Sequence, residues 1–212
     1  MAERITEDLD QLESRARALA TAGGRKILGI AGAPGAGKST IAQALVDRLG
    51  DLAVFVPMDG YHYANEVLIA LGRRDRKGAP DTFDAEGYIS LLQRLHAQRD
   101  EVVYAPRFRR DLEEPIGSAI PTDPRTPLVI TEGNYLLLDR EPWDQVRGLI
   151  DETWYLEPDE DLRMQRLIDR HIEFGKSPDD ARDWSMGSDE RNAEVIRASA
   201  PNADLIVTVK ER

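Results

Sequence analysis

The sequence predicts a three-layer α/β domain with helices on both faces of a mainly parallel sheet. Short apolar segments alternate with amphipathic segments of helical period, an order typical of parallel strands joined by crossover helices. The apolar runs Ile27–Ile30, Leu128–Ile130 and Leu205–Val209 are continuous, as expected for strands buried on both faces. The length of 212 residues suits one such domain, and we expect residues 1–212 to form it.

Composition and charge restrict the partners of the chain. It has 28 Lys and Arg against 39 Asp and Glu, a net charge of −11, which disfavours binding to nucleic acid or to an anionic membrane. It has no cysteine, which excludes disulfides and thiol nucleophiles and is typical of a reducing compartment. Because no signal sequence or membrane-length apolar run is seen, we expect a cytoplasmic protein without nucleic-acid or membrane partners.

The first elements follow from the N-terminal quarter of the chain. Apolar residues recur at helical spacing over residues 4–20, which predicts an amphipathic helix. The apolar run Lys26–Ala31 predicts a strand, and the periodic segment Lys38–Leu49 predicts a helix. Leu52–Val56 predicts a second strand, because Pro57 follows it directly and cannot continue a central strand.

The later elements repeat this alternation. Residues 60–83 are expected to be irregular, and the four prolines from Pro115 to Pro127 predict a loop within the domain. The remaining helices are expected at Asp84–Gln98, Asp159–Phe174 and Asp189–Ser199, and the remaining strands at Val102–Tyr104, Leu128–Thr131, Glu152–Leu156 and Leu205–Val209. Trp184, between the last two helices, is expected to be a core residue because isolated tryptophans usually are.

A phosphate-binding motif follows the first apolar strand. Residues 32–39 match the pattern G-x-x-x-x-G-K-[ST], in which glycines bring backbone N–H groups and a helix N-terminus close to phosphate oxygens. Lys38 is expected to act in catalysis at the β- and γ-phosphates, and Ser39 to ligate Mg²⁺. The expected nucleotide contacts are Gly32, Ala33, Pro34, Gly35, Ala36, Gly37, Lys38, Ser39 and Thr40.

Two carboxylates follow predicted strands and are therefore expected at the same edge of the sheet as the phosphate-binding loop. Asp59 comes after the second strand, where a carboxylate can accept the proton of an attacking hydroxyl or contact Mg²⁺. Glu132 closes the strand Leu128–Thr131, a position from which an acid contacts Mg²⁺ directly or through water. The alternatives are a turn or helix cap for Asp59 and a solvated strand end for Glu132.

Four segments carry a resemblance to a known family. They are Gly32–Ser39, Asp59–His62, Lys77–Asp84 and Glu132–Asn134, and in this order they resemble the phosphoribulokinase/uridine kinase/bacterial pantothenate kinase superfamily over about residues 26–209. Within it the sequence most resembles the branch labelled fructose transport system kinases, a label that does not establish a substrate. The resemblance implies the P-loop NTPase fold.

The resemblance also implies an activity and its cofactors. Kinases of this group use ATP and Mg²⁺ and transfer the γ-phosphoryl group to a hydroxyl of a small molecule, with the residue that matches Asp59 as catalytic base. A homodimer is also expected from kinases of this group. The resemblance further implies that the region of Trp184 and residues 189–193 helps to close over the substrate, which is the alternative to a core position for Trp184. The pantothenate kinase pattern is not met, because Phe108 and Arg110 stand where those enzymes carry a substrate-contacting Tyr and His.

The helix expected at Asp159–Phe174 carries Arg163, Arg166 and Arg170 on one face. Such a stripe suits a lid, at approximately residues 159–184, that neutralises phosphate charge in the transition state. We expect Arg166 and Arg170 to be catalytic in this sense, in agreement with the resemblance. For Arg163 an alternative is equally open, namely a solvated face with interspersed aspartates.

Two basic clusters occur in this otherwise acidic chain. They suggest that the molecule that accepts the phosphoryl group is itself anionic. The alternative is ordinary surface charge. The clusters are Arg73, Arg74, Arg76 and Lys77, and Arg107, Arg109 and Arg110. The expected substrate contacts are Tyr61, His62, Arg107, Arg109, Arg110 and Asn192.

The main hypothesis is therefore an ATP-dependent kinase acting on a sugar, nucleoside, vitamin or anionic derivative. The first alternative is a nucleoside monophosphate kinase, which also has a P-loop and an arginine lid. The second is a P-loop protein that hydrolyses a nucleoside triphosphate as a regulator. A guanine-reading Asn-Lys-x-Asp segment is absent, which disfavours a GTPase. An acid directly after the second strand favours a hydroxyl acceptor, because a hydroxyl has a proton to lose.

Overall fold

The computed structural model describes residues 2–210, which contain a six-stranded sheet and a separate two-stranded sheet. The strands are β1 Glu3–Glu7, β2 Lys26–Ala31, β3 Ala53–Phe55, β4 Val103–Arg109, β5 Glu114–Thr122, β6 Leu128–Gly133, β7 Glu152–Leu156 and β8 Leu205–Val209. The large sheet has the order β1-β8-β7-β2-β6-β3, and every neighbouring pair in it is parallel.

Helices cover both faces of the large sheet, which confirms the three-layer α/β architecture. The α-helices are α1 Leu9–Thr21, α2 Lys38–Leu49, α3 Asn65–Ala70, α4 Ala85–Ala97, α5 Glu160–Glu173, α6 Pro178–Trp184 and α7 Glu190–Ser199. The large sheet has a hydrophobic core on each face, and alternate residues of β2 point into different cores. Ile27 packs with α4 and α7, whereas Leu28 and Ile30 pack with α1 and α2. No helix among residues 2–210 has the length and apolar character that crossing a bilayer requires.

The start of the chain differs from its prediction. The helix expected over residues 4–20 is wrong at its beginning, because Glu3–Glu7 forms the edge strand β1 and pairs with β8. The helix starts after Asp8, whose side chain accepts from the Gln11 amide while the Gln11 side chain accepts from the Asp8 amide. This capping box fixes the boundary that apolar spacing alone did not show.

The proline-rich segment is also different from its prediction. The loop expected from Pro115 to Pro127 is wrong for its first part, since Glu114–Thr122 is strand β5 and pairs antiparallel with β4. Both strands of a two-stranded sheet are edges, so Pro115 and Pro121 can lie where no ladder hydrogen bond is needed from them. The region 60–83, expected to be irregular, contains the short helix α3.

Candidate active site

The phosphate-binding loop, residues 32–37, connects β2 to α2 at the carboxyl edge of the large sheet. Gly32, Gly35 and Gly37 have φ values of +152°, +84° and +87°, in the region that glycine adopts without strain. At Gly35 a Cβ atom would lie 2.6 Å from the carbonyl oxygen of Arg163. The loop therefore requires glycine there both for its conformation and for its close approach to α5.

Lys38, the first residue of α2, points back over this loop. Its Nζ donates to the carbonyl oxygens of Gly32 and Ala33 at 2.8 and 3.1 Å. Burial lowers the pKa of Lys38 to about 8, against the opposing attraction of Glu132 and Asp59. An ammonium held here has lost most of its hydration, so a phosphate oxygen brought to it would be strongly attracted.

Ser39 and Glu132 form a ready set of oxygen ligands beside the loop. The Ser39 hydroxyl donates to Glu132 Oε1 at 3.0 Å, and burial together with the nearby charge of Asp59 raises the pKa of Glu132 well above its usual range. Among residues 2–210 no group of three or more His, Cys, Asp or Glu side chains could hold a metal alone. The Ser39 hydroxyl and the Glu132 carboxylate fit Mg²⁺, which binds few protein oxygens and keeps water and phosphate ligands.

Asp59 lies in the 3₁₀ turn Met58–Tyr61, which is separated from the end of β3 by Val56 and Pro57. Its carboxylate is 3.8 Å from the Arg110 guanidinium, and its charge acts on both Lys38 and Glu132. The hairpin β4–β5 packs against this turn so tightly that a Cβ on Gly60 would lie 2.4 Å from the carbonyl oxygen of Pro106. The turn and the hairpin thus hold the predicted base beside the phosphate-binding loop.

A buried hydroxyl pair connects the strands that carry the two carboxylates. Thr131 Oγ1 donates to the carbonyl oxygen of Val56 at 2.6 Å, and the Tyr88 hydroxyl, 2.7 Å away, donates to Thr131 Oγ1. Thr131 precedes Glu132, and Val56 lies three residues before Asp59. The contact therefore fixes the ends of β6 and β3 relative to each other, and with them the spacing of the carboxylates.

The arginines of α5 divide into two groups. Arg163 is buried and donates to the carbonyl oxygen of Pro34 at 2.9 Å, to Glu160 and to Glu190 at 2.6 Å. It therefore anchors the helix to the phosphate-binding loop and is not on a solvated face. Arg166 and Arg170 line the cavity, and burial and the proximity of Arg110 lower the pKa of Arg170.

The functional side chains surround one cavity of about 710 Å³. Besides loop residues it is lined by Asp59, His62, Arg74, Lys77, Gly78, Phe83, Phe108, Arg110, Glu113, Glu132, Asn134, Arg166, Arg170, His171, Glu173, Phe174, Lys176, Trp184, Asp189 and Asn192. Of the expected nucleotide contacts, Pro34, Gly35, Gly37, Lys38, Ser39 and Thr40 line it, whereas Gly32, Ala33 and Ala36 are buried in the loop beneath it.

One wall of the cavity is aromatic. The His62 ring lies between Phe83 and Phe108, with centroids 4.0 and 4.7 Å away. His62 Nδ1 is 2.8 Å from the carbonyl oxygen of Asp59 and must donate to it, because a carbonyl only accepts. Burial lowers the pKa of His62, so the neutral ring has Nε2 as an acceptor.

The expected substrate contacts are not all brought to this cavity. His62, Arg110 and Asn192 line it, but Tyr61 packs against Tyr88, with centroids 5.4 Å apart. Arg107 and Arg109 are exposed and do not line it, and the Arg109 guanidinium pairs with Asp111 at 2.7 Å.

Sequence reasoning missed several residues of the cavity. The interpretation of Trp184 as a core residue is wrong, because its side chain is half-buried, lines the cavity and has Lys176 Nζ 4.2 Å from its ring centroid. Glu113 lies in a segment with no motif, so no sequence signal indicated it, and Phe174, at the end of the predicted arginine-bearing helix, was not singled out. Asn134 could have been found from its place two residues after Glu132 at the strand end.

The site combines a glycine-rich loop between a strand and a helix, a buried lysine, and two arginines of α5 that line the same cavity. These features define the P-loop kinase class. The chain belongs to the phosphoribulokinase / uridine kinase family, whose model matches residues 27–212. This confirms the resemblance that the four sequence segments indicated.

Individual relatives agree with this assignment. A provisionally named uridine kinase, C227.14, of Schizosaccharomyces pombe is 31% identical over 209 residues, 93% of this chain and 89% of the relative. The Escherichia coli protein YggC is 31% identical over 192 residues, 88% and 79% of the two chains. A crystal structure from Silicibacter sp. TM1040, provisionally named a fructose transport system kinase, is 36% identical with a TM-score of 0.84, covering 93% of this chain and 98% of its own.

Proposed function

We propose that this protein transfers the γ-phosphoryl group of Mg-ATP to a hydroxyl group of a small molecule. The observation that carries the proposal is the position of Asp59, whose carboxylate shares one cavity with Lys38 and with the Ser39–Glu132 pair. A carboxylate in the same cavity as a phosphate-binding lysine can act as a general base when the acceptor hydroxyl must lose a proton.

The loop side of the cavity would hold and neutralise the nucleotide. The loop amides and the N-terminus of α2 bind phosphate oxygens, and Ser39 and Glu132 hold Mg²⁺. Bound Mg-ATP supplies the electrophilic phosphorus. Lys38, Arg166 and Arg170 place positive charge where negative charge increases in the transition state.

The opposite side of the cavity would bind and activate the acceptor. Asp59 accepts the proton of the acceptor hydroxyl at its carboxylate and directs the oxygen toward phosphorus. Arg110 holds that carboxylate in place from 3.8 Å, and Gly60 allows the hairpin to approach it closely. His62 Nε2 and the amides of Asn134 and Asn192 add hydrogen-bonding groups that orient a polar molecule.

A nucleoside monophosphate kinase is the main competing function. Its acceptor oxygen belongs to a phosphate that is largely unprotonated at neutral pH, so transfer to it does not require Asp59 to accept a proton. The two functions therefore differ in how strongly they depend on this one residue. The cytoplasmic location and the homodimer stay predictions.

A coupled assay of ADP release over panels of sugars, nucleosides, vitamins, their anionic derivatives and nucleoside monophosphates tests the proposal. We expect a hydroxyl acceptor to stimulate ADP release, and Asp59→Asn to reduce kcat by about 10²–10⁴-fold with unchanged Mg-ATP affinity. Asp51→Asn, an exposed aspartate in the turn before β3, is the matched control. Stimulation by monophosphates alone, no stimulation by any hydroxyl compound, or near-normal kcat in Asp59→Asn would contradict the proposal.

A further inference from the structure

The two basic clusters of the sequence are each split by the fold into a part that faces the cavity and a part that does not. Arg73 and Arg76 bond to Asp81, whereas Arg74 and Lys77 line the cavity. The segment forms a 3₁₀ turn, in which residues three apart lie on the same side.

The second cluster is split in the same way by the period of a strand. Arg107 and Arg109 lie on one side of β4, and Phe108 lies on the other side and lines the cavity. Arg110 follows the end of the strand and also lines the cavity. Only Arg74, Lys77 and Arg110 of the two clusters therefore reach the cavity.

These three cations belong to the acceptor side. Arg110 lies beside Asp59, and the charge of Arg74 acts on Lys77, which packs 5.0 Å above the ring of Phe108. Lys77 is already bonded to Asn65 and to the carbonyl oxygen of Glu113, so it holds the wall together. No carboxylate among residues 2–210 pairs with Arg74, and the one carboxylate near Arg110 in this part of the chain is that of Asp59, at 3.8 Å; the Arg110 guanidinium also lies 6.0 Å from the ring centroid of Phe174.

The nucleotide side of the cavity has cations of its own. The loop amides, the N-terminus of α2, Lys38, Arg166 and Arg170 already supply the charge for a triphosphate on the other side of the cavity. Burial, and after it the nearby charge of Arg110, lower the pKa of Arg170, and an anion beside Arg110 would offset the second of these two effects. The chain as a whole carries a net charge of −11, so this positive surface is local.

We propose that the phosphoryl acceptor is a small hydroxylated anion whose carboxylate or phosphate group is bound by Arg110 and Arg74. Its reacting hydroxyl lies on Asp59, and a second hydroxyl donates to His62 Nε2. Arginine suits this task because its planar fork binds both carboxylate and phosphate oxygens in pairs. The proposal rests on the proposed function and specifies the acceptor of that same site.

The test first measures anion binding, independently of the natural acceptor. The full-length protein is saturated with Mg²⁺ and a non-hydrolysable ATP analogue, and inorganic phosphate or acetate is titrated by calorimetry. We expect one site for at least one of the two anions, weakened about tenfold or more in Arg74→Gln and in Arg110→Gln. The matched control is Arg76→Gln from the same turn, since Arg76 is bonded to Asp81 outside the cavity and should bind the anion as wild type does.

The second measurement compares acceptors that differ only in an anionic group. Glycerol, glycerate and glycerol 3-phosphate form one set, and ribose, ribonate and ribose 5-phosphate form another. Selective binding of acetate and turnover of the acids would indicate a hydroxy acid, and selective binding of phosphate and turnover of the esters would indicate a phosphate ester. Both outcomes support the proposal, as does an Arg74→Gln variant that raises KM for the anionic member only.

The outcomes that overturn the proposal are distinct from those that overturn the kinase function. Binding of neither anion, equal weakening by Arg76→Gln, or a neutral acceptor used as well as its anionic counterpart would refute the anionic acceptor. If the ATP analogue still binds and transfer still depends on Asp59, the kinase function stands. Failure of the ATP analogue to bind would instead refute the proposed function.

Discussion

Replacement of Gly35 by alanine tests the close packing between the phosphate-binding loop and α5. The backbone at Gly35 has φ +84°, where an L-residue costs about 1–2 kcal/mol. The new Cβ would also lie 2.6 Å from the Arg163 carbonyl oxygen and 3.3 Å from Leu167 Cβ, so that loop or helix must move. Overpacking of this kind typically costs about 1–3 kcal/mol, which gives a total loss of about 2–5 kcal/mol of unfolding free energy.

Gly24→Ala is the control that separates strain from packing. Gly24 also has a positive φ, +67°, but no atom lies within 4 Å of a Cβ placed there. Only the cost of the left-handed backbone conformation, about 1–2 kcal/mol, therefore applies. Urea denaturation of both variants measures the difference between their unfolding free energies. Calorimetry with an ATP analogue should show weaker binding in Gly35→Ala alone. Equal destabilisation of the two variants within about 0.5 kcal/mol, with normal analogue affinity in Gly35→Ala, would refute the reasoning.

Three further predictions concern single side chains. Arg163→Met leaves the carbonyl oxygen of Pro34 without its donor, whereas Glu190 keeps its bond to Arg197, so the unfolding free energy should fall by about 1–3 kcal/mol in urea denaturation; a loss below about 0.5 kcal/mol would show that this anchor is not needed. Tyr88→Phe should cost about 1–2 kcal/mol and reduce kcat in the coupled assay without changing analogue affinity, and an unchanged kcat would argue against its positioning role. Arg110→Gln should reduce kcat/KM for the acceptor by about tenfold or more, whereas Arg109→Gln should change it by less than about threefold; similar losses in both would contradict the division of the cluster.

Elements whose sequence pattern is set by local burial were predictable. The strands Lys26–Ala31 and Leu205–Val209 were predicted at their observed bounds, because buried strands of a parallel sheet are mostly continuous apolar runs. The helix Lys38–Leu49 was also predicted at its bounds, since the glycine-rich loop before it and the glycine after it mark both ends. The phosphate-binding loop followed from the same motif.

Elements that depend on a distant partner were not predictable. Strand β1 is short, polar and exposed on most of its side chains, and only its pairing with residues 205–209 makes it a strand. Strand β5 contains two prolines, which usually exclude a strand and are tolerated here because β4 is its one neighbour. In both cases the decisive contact joins segments far apart in the sequence.

The site residues show the same division. Lys38, Ser39, Asp59 and Glu132 were brought together as their motifs and strand ends indicated. The sequence could not show which members of the basic clusters face the cavity, because this depends on the 3₁₀ turn Arg74–Arg76 and on the end of β4 at Arg109. A charge cluster in a sequence thus overstates the number of charges that a ligand can meet.

Strand β1 lies at the outer edge of the large sheet, and this position has a consequence for any truncated form of the protein. The family match begins at residue 27, so a chain shortened to the matched region loses both β1 and α1. The hydrogen-bonding edge of β8 would then be bare, and the apolar face that Leu12, Ala16 and Ala20 cover would meet water. Such a fragment has the features of a self-associating sheet edge. An association of copies seen only in the shortened form would report the missing residues and not the native protein.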